Sequence, residues 1–463
     1  MKTLRIKPIR KVTYLQLLLL HGAMGFLVYL IPFASKVIFL SVVFFFFFLI
    51  VNKANKNDEA LLAAAYITGA ELFFRMTGGV FFYESGKYLV ILFLVIGLFY
   101  KGPSKRTLPY WLYIFLLIPG IFFSAMNLNF DTNIRNAIAF NLSGPITVGI
   151  VGIYCFFRKI SLNRIHHIFL AVMLPIITLT IYLFLYTPSI RDSLSGTASN
   201  FAASGGFGPN QVSTILGLGA IILFIRLFTI KSRLLNIIDL ILLMLVCYRG
   251  LVTFSRGGML GALICSVAFL LIYLYYADGI TKAKLLPRII LISGVLITTW
   301  VFTSVITFGL IDKRYSNQDA AGRVKQDITT GRAELMETEL DAFFSAPLTG
   351  IGIGKIKEFR EEKLGKTVAT HNEISRLLSE HGVPGLIALF IIALSPLLYW
   401  LFYKPNIYFF AFYFFWLITI SHSSMRLAAP GFIYGLCLLY ILNEKSTIHR
   451  KQTKQSKQHS HIN

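Results

Sequence analysis

Residues 37–51 read Val-Ile-Phe-Leu-Ser-Val-Val-Phe-Phe-Phe-Phe-Phe-Leu-Ile-Val, a stretch with no charge and with five consecutive phenylalanines, Phe44 to Phe48. No solvent-exposed surface tolerates such a run, whereas lipid does. Similar apolar runs of roughly 15 to 22 residues recur along the chain, the length of a helix crossing a bilayer core. The whole composition agrees: 463 residues, 56% apolar, 15% aromatic, 14% charged, with a mean hydropathy of +0.69. A soluble enzyme built on one compact core is excluded, and the chain reads as an integral membrane protein.

Apolar runs and their flanks give fourteen candidate spans. The first seven are Val12–Leu30, Val37–Val51, Ala60–Val80, Tyr88–Tyr100, Leu108–Phe123, Ala137–Phe157 and Ile168–Tyr186. The other seven are Val212–Phe228, Leu234–Tyr248, Met259–Tyr276, Ile289–Leu310, Val383–Tyr403, Ile407–Ile420 and Leu427–Leu442. The fold class that follows is all-α, a polytopic transmembrane helical bundle of about 12–14 spans. The first span follows Lys2, Arg5, Lys7, Arg10 and Lys11 without a small-x-small cleavage site, so it reads as an uncleaved anchor.

The net charge of +23 raises the question of nucleic acid, which the placement of the charge answers. Between Ile311 and Val383 there are 11 basic and 12 acidic residues; the rest of the chain holds 33 basic against 9 acidic, in short clusters between apolar runs. That is the positive-inside pattern and not a nucleic-acid surface. Clusters such as Lys53 and Lys56, Lys101 to Arg106, Lys231 and Arg233, and Lys282 to Arg288 all fall in alternate loops. Both termini are therefore expected in the cytoplasm, with the tail after Leu442 (Lys445, Arg450, Lys451, Lys454, Lys457) as a polar extension there. The four cysteines sit in apolar runs without paired spacing and read as packing residues, not as a disulfide framework or zinc site.

Two long segments are then expected on the outer face, Thr187–Gln211 and Ile311–Val383. The domain plan is a first set of transmembrane helices (1–310), an extracytoplasmic helical subdomain (311–383), the last transmembrane helices (384–442) and a basic cytoplasmic tail (443–463). Within the subdomain, Leu335, Met336, Leu340, Phe343 and Phe344 recur at helical spacing after Arg332, as do Ile374, Leu377 and Leu378 after His371, predicting two amphipathic helices.

The candidate chemistry lies mainly at the ends of these elements. Arg256, in Ser255-Arg256-Gly257-Gly258, is either an anion clamp or an interfacial anchor reaching headgroups. Arg332 has the planar donor fork that suits a pyrophosphate, or it is solvated or paired with Glu334. His371, beside Asn372, is a candidate general base near neutral pH, or a surface histidine at a helix start. Its ten-residue offset from His381 does not suit a shared metal. Glu71 and Arg75, four apart on an apolar span, are either functional intramembrane charges or a structural ion pair. Gly350, Gly352 and Gly354 before Lys355 fail the phosphate-loop pattern, with Thr349 and Ile356 at required positions. No Asp-x-Asp pair occurs, which disfavours metal-assisted use of a nucleotide sugar.

Taken in order, Ser255-Arg256-Gly257-Gly258, Gly331-Arg332 with Pro347-Leu-Thr-Gly-Ile-Gly-Ile-Gly354, and His371-Asn372 with Glu380-His-Gly382-Val-Pro-Gly385 resemble the O-antigen ligase and Wzy polymerase superfamily of bacterial envelope polysaccharide enzymes. The likeness runs from about Gly208 to Gly385, opening with Gly208-Pro209-Asn210, and the first 200 residues add little to it. The resemblance implies a GT-C-like glycosyltransferase in the bacterial plasma (inner) membrane, with a periplasmic active site and no metal or cofactor. Its donor would be an undecaprenyl diphosphate-linked glycan, and its acceptor lipid A-core or another glycan, with inversion at the anomeric carbon. Under that resemblance Arg256 and Arg332 hold the diphosphate and His371 is the base. Asn210, Asn372, Glu71 and Arg75 are candidate substrate contacts. A repeat-unit polymerase of the same fold is the alternative. A membrane transporter is the second, compatible with the span count but not with motifs gathered in one outer loop.

Overall fold

The computed structural model describes residues 10–326, 331–365, 368, 370–404, 406–423 and 425–442. The predicted basic tail and the N-terminal cluster Lys2, Arg5 and Lys7 lie outside the described residues. In chain order the helices are α1 (Lys11–Leu30), α2 (Ala34–Lys53), α3 (Glu59–Met76), α4 (Ser85–Lys101), α5 (Leu108–Asn127), α6 (Ile134–Cys155) and α7 (Leu162–Tyr186). The second half holds α8 (Pro209–Thr229), α9 (Arg233–Leu251), α10 (Arg256–Tyr276) and α11 (Gly279–Ile306). It continues with α12 (Leu310–Tyr315), α13 (Arg332–Ser345), α14 (Lys355–Leu364), α15 (Glu373–Tyr403), α16 (Phe409–His422) and α17 (Ala429–Cys437).

Every one of the fourteen apolar runs falls on a helix, and ten of these helices are long and apolar enough to cross a membrane. The other four are α3, which carries Glu59, Glu71 and Arg75, and the shorter α4, α16 and α17. The run Leu427–Leu442 is not one helix. It stops at Cys437, and Tyr440–Leu442 forms strand β2, parallel to β1 (Lys159–Ser161) with Ile160 opposite Ile441. Asn406 Nδ2 donates to the Leu436 carbonyl at 2.8 Å, taking an acceptor at the end of α17.

The five phenylalanines sort as lipid contact requires. Phe44, Phe45, Phe47 and Phe48 are exposed on α2, and only Phe46 turns inward, against Tyr66 and Phe93. At the other extreme, α8 is buried along its length. Small residues let its neighbours approach: a side chain at Gly217 would meet the Gly258 carbonyl of α10, and one at Gly219 would meet Ile176 of α7.

The ends of α8 to α11 alternate, so the start of α8, the end of α9, the start of α10 and the end of α11 share one end of the bundle with α12 to α14. The two long segments expected on one face do meet there. Lys325 Nζ donates to Thr197 at 3.0 Å and Arg314 Nη2 to Ser199 at 3.5 Å, while Arg314 Nε donates to the Phe254 carbonyl just before α10 at 2.9 Å.

α15 contains a break that explains two of the sequence motifs. Gly382 leaves helical geometry with φ 63°, and Pro384 has no N–H for the carbonyl of Glu380. The N–H of Val383, which would serve Ser379, goes instead to the Pro347 carbonyl at 2.8 Å. Both stranded carbonyls are recovered by the glycine-rich segment. Ile351 N–H donates to Ser379 at 2.9 Å and Gly352 N–H to Glu380 at 3.2 Å. The approach is close enough that a Cβ at Gly350 would fall within 3.0 Å of the Glu380 backbone, and Gly350 itself has φ 70°.

Gly350→Ala should therefore destabilise the protein more than Gly365→Ala, as read by thermal unfolding in detergent. Gly365 also has positive φ but open space around it, so it should lose only the backbone preference, about 1–2 kcal/mol. Equal losses at the two positions would contradict the packing described.

Candidate active site

Four helices begin at one place. α8 starts with Pro209 in the first turn, where its missing N–H costs nothing; α10 starts at Arg256, α13 at Arg332 and α15 at Glu373. The two glycines after Arg256 let α10 approach on two sides, Gly258 against α8 and Gly257 against α16. A side chain at Gly258 would overlap the Ser213 backbone, and one at Gly257 would strike the His422 ring. The two helix starts are then tied together: Ser255 Oγ donates to Asn210 Oδ1 at 2.7 Å, and Ser213 Oγ to the Ser255 carbonyl at 2.9 Å. The cap residues of α8, α10 and α13 make no side-chain capping bond, whereas Asn372 caps α15 by accepting from Ile374 N–H at 2.9 Å.

Between these ends lies a cavity of about 360 Å³ whose wall includes Asn210, Arg256, Arg314, Arg332, His371 and Asn372. The structure thus brings together five of the seven residues singled out in the sequence, and adds Arg314. All three arginines are partly exposed. Burial, followed by the repulsion of Arg256 and Arg332, lowers the pKa of Arg314; burial and then Arg256 lower that of Arg332. Among the described residues Arg332 has no carboxylate within ion-pair distance, which removes the reading that pairs it with Glu334. The carboxylate among the described residues of the wall, Glu339, is already engaged by Arg360, Thr370 and Ser375. Guanidinium groups and helix N-termini pointed at one space, with the nearby acid occupied, make a site for an anion.

His371 stands at the edge of this cavity, half-buried, its Nδ1 buried and without a hydrogen-bond partner among the described residues. Burial first, then Arg426, Arg332, Arg360 and His422, push its pKa down to about 4. The imidazole is consequently neutral over the physiological range and able to accept a proton.

Its position is set through Thr370. The Thr370 hydroxyl donates to Glu339 at 2.7 Å and accepts from Arg360 at 3.0 Å, while the Thr370 carbonyl accepts from Arg426 at 2.8 Å. Arg426 in turn sits on a segment held by buried charges. Ala428 N–H donates to Glu71 at 2.7 Å, Arg75 to the Arg426 carbonyl at 2.9 Å, and Lys87 to the Met425 carbonyl at 3.3 Å. Glu71 and Arg75 are paired at 2.6 Å and lie outside the arginine cavity. Their contacts are with the 425–428 segment, which supports the site from behind.

Arg314, Glu339 and Arg426 carried no signal in the sequence. Each is a single charge in a mixed or run-end context, and its role exists only through partners between 21 and 351 residues away, such as Arg360 for Glu339 and Arg75 for the Arg426 carbonyl.

Residues 240–390 match the family model described as O-Antigen ligase, the family that the motifs resemble. The matched region contains Arg256, Arg314, Arg332, Glu339 and His371, and leaves out Asn210, Glu71, Arg75 and Arg426. No curated protein and no solved structure matches the chain. The match supports an O-antigen ligase- or polymerase-type, glycosyltransferase-like activity in a multi-pass membrane protein.

Farnesyl diphosphate, a short analogue of a polyprenyl diphosphate, should bind the purified protein through this cavity. Arg332→Ala should weaken binding roughly 10- to 100-fold, the effect of losing a charge-assisted hydrogen bond. Arg332→Lys should recover little of it, because an ammonium lacks the bidentate fork. Calorimetric affinities for the two variants equal to wild type would refute the anion site.

Proposed function

We propose that the chain moves a glycan from undecaprenyl diphosphate to an acceptor hydroxyl, lipid A-core in the ligase form of the reaction, at the outer face of the bacterial plasma membrane. The observation that carries this reading is the cavity in which Arg256 and Arg332, each the first residue of its helix, meet Arg314 from the last turn of α12, with a neutral His371 at its edge. In the reaction the acceptor oxygen attacks the anomeric carbon while the bond from that carbon to the diphosphate oxygen breaks. The diphosphate leaves with the electron pair, and its growing charge is met by guanidinium groups already in position. His371 takes the proton from the acceptor hydroxyl. Attack opposite the leaving group inverts the anomeric configuration.

The direct test is transfer by purified protein in detergent, with an undecaprenyl diphosphate-linked glycan as donor and lipid A-core as acceptor. Because no sealed compartment is present, product formation separates catalysis from transport. His371→Ala should reduce turnover roughly 10²- to 10⁴-fold while farnesyl diphosphate still binds; loss of that binding equal to Arg332→Ala would remove His371 from the role of base.

The pH dependence carries a second expectation. A neutral imidazole is required, so activity should be lost as pH falls through the pKa of His371. The acid limb of kcat/KM should lie near 4 and not near the usual 6.5. Arg426→Gln removes the cation that lowers the pKa of His371 most and should move that limb upward. A limb near 6.5 in the wild type would sink the assignment.

The membrane orientation is testable separately. In intact spheroplasts Lys363→Cys, beside the cavity end of the bundle, should react with a membrane-impermeant maleimide. Lys284→Cys, at the opposite end, should react only after permeabilisation. The reverse pattern would place the cavity on the cytoplasmic face.

A further inference from the structure

Behind Thr370 lies a second cavity, of about 600 Å³, a size usual for ligand pockets. Thr370 and Arg426 belong to its wall, whereas His371 and Asn372 belong to the wall of the arginine cavity. The single chain step from Thr370 to His371 therefore runs from the wall of one chamber to the wall of the other, with the candidate base on the arginine side.

The first turns of α6 supply one wall. Asn133, Asn136 and Phe140 recur at spacings of three and four, and Asn141 lies four after Ala137 beside them, so they line one side of the helix start. On a helix long and apolar enough to span a membrane, such a face would ordinarily be hydrocarbon. Asn133 caps the helix through Asn136 N–H at 3.0 Å, and Asn141 donates to the Ala137 carbonyl at 3.0 Å. The Asn136 side chain makes no hydrogen bond among the described residues and is exposed, as is the ring of Phe140.

The facing wall, from α14 and the start of α15, is charged, and most of its charges are paired. Arg360 pairs with Glu339, Arg376 with Glu373 and Glu380, and Glu358 with Lys355. Among the described residues the cavity wall carries the cations Lys87, Lys357, Arg360, Arg376 and Arg426 beside the carboxylates Glu358, Glu361 and Glu373, and Lys87, Arg360 and Arg376 are already engaged by Glu84, Glu339, Glu373 and Glu380. Amides that donate and accept at once, beside the apolar face of a ring, match the hydroxyls and C–H surface of a sugar. We propose that this second cavity holds the acceptor glycan, with Asn136, Phe140 and Asn141 binding the sugar whose hydroxyl is presented to His371. The inference rests on the glycan-transfer reading above.

The test uses full-length protein in detergent, an undecaprenyl diphosphate-linked glycan as donor, and two acceptors: lipid A-core and a second undecaprenyl diphosphate-linked repeat. For the acceptor that the wild type uses, Asn136→Ala and Phe140→Ala should each raise KM roughly 2- to 12-fold, the effect of one hydrogen bond or a comparable contact. The loss should be recovered at saturating acceptor, and farnesyl diphosphate affinity should match the wild type. Because the four native cysteines are buried, Asn136→Cys adds an independent readout, and its maleimide labelling should be slowed by acceptor but not by farnesyl diphosphate. Unchanged acceptor KM in both variants, or shielding by farnesyl diphosphate, overturns the acceptor assignment and leaves the transfer reading standing. A wild-type protein that transfers to neither acceptor overturns both.

Discussion

A carboxylate buried between apolar helices is tolerable only when its counter-charge and hydrogen bonds are buried with it, and in this bundle that constraint reaches from α3 to the candidate base. Glu71 is 2% exposed. It is held by Arg75 on its own helix and by the N–H of Ala428 from the far end of the chain. Arg75 and Lys87 add bonds to the carbonyls of residues 426 and 425, and Lys87 is itself paired with Glu84. The cluster thus fixes the segment carrying Arg426, whose guanidinium grips the residue before His371. Removing one member of such a buried pair costs about 3–5 kcal/mol in general, because the other is left uncompensated. Here the same loss would also release the support behind Thr370.

The arginine cavity obeys the opposite rule. Its cations are only partly buried, repel one another, and face an acid that is already engaged. Holding them together therefore costs free energy that an anion can return, and the bonds that hold the wall in place involve backbone: Arg314 on the Phe254 carbonyl, and Ser213 on the Ser255 carbonyl. In the proposed reaction this is electrostatic preorganisation, since no group has to reorient when charge develops on the leaving diphosphate. Burial, then Arg426, lowers the pKa of His371 most, and Arg332 is the cavity cation that adds to it, so one guanidinium serves both the anion site and the neutral base.

The glycine-rich segment shows why a motif's likeness to a phosphate loop can mislead. Ile351 and Gly352 turn their N–H groups toward the carbonyls left open where α15 breaks at Gly382 and Pro384. Glu380 completes the junction by accepting from Gly354 N–H at 2.8 Å. Two separate motifs, Pro347–Gly354 and Glu380–Gly385, are halves of one joint that sets the angle at which the first turns of α15, and His371 ahead of them, meet the bundle.

The amino-acid sequence by itself determined the membrane-spanning all-α class and the site of every apolar helix, because hydrocarbon length and the burial of backbone polar groups are local requirements. It also exposed Arg256, Arg332 and His371, because each stands at a helix start beside glycine or asparagine, where a local pattern is legible. It left Glu71 and Arg75 open between ligand contact and ion pair, and the structure finds them bonded to each other and to the 425–428 segment. The recruitment of Arg314, Glu339 and Arg426, and the second chamber against α6, were decided only by tertiary structure. A hydrogen bond between residues far apart in sequence leaves no periodicity behind, and a cavity is defined by which faces of several helices meet, a property no single segment carries.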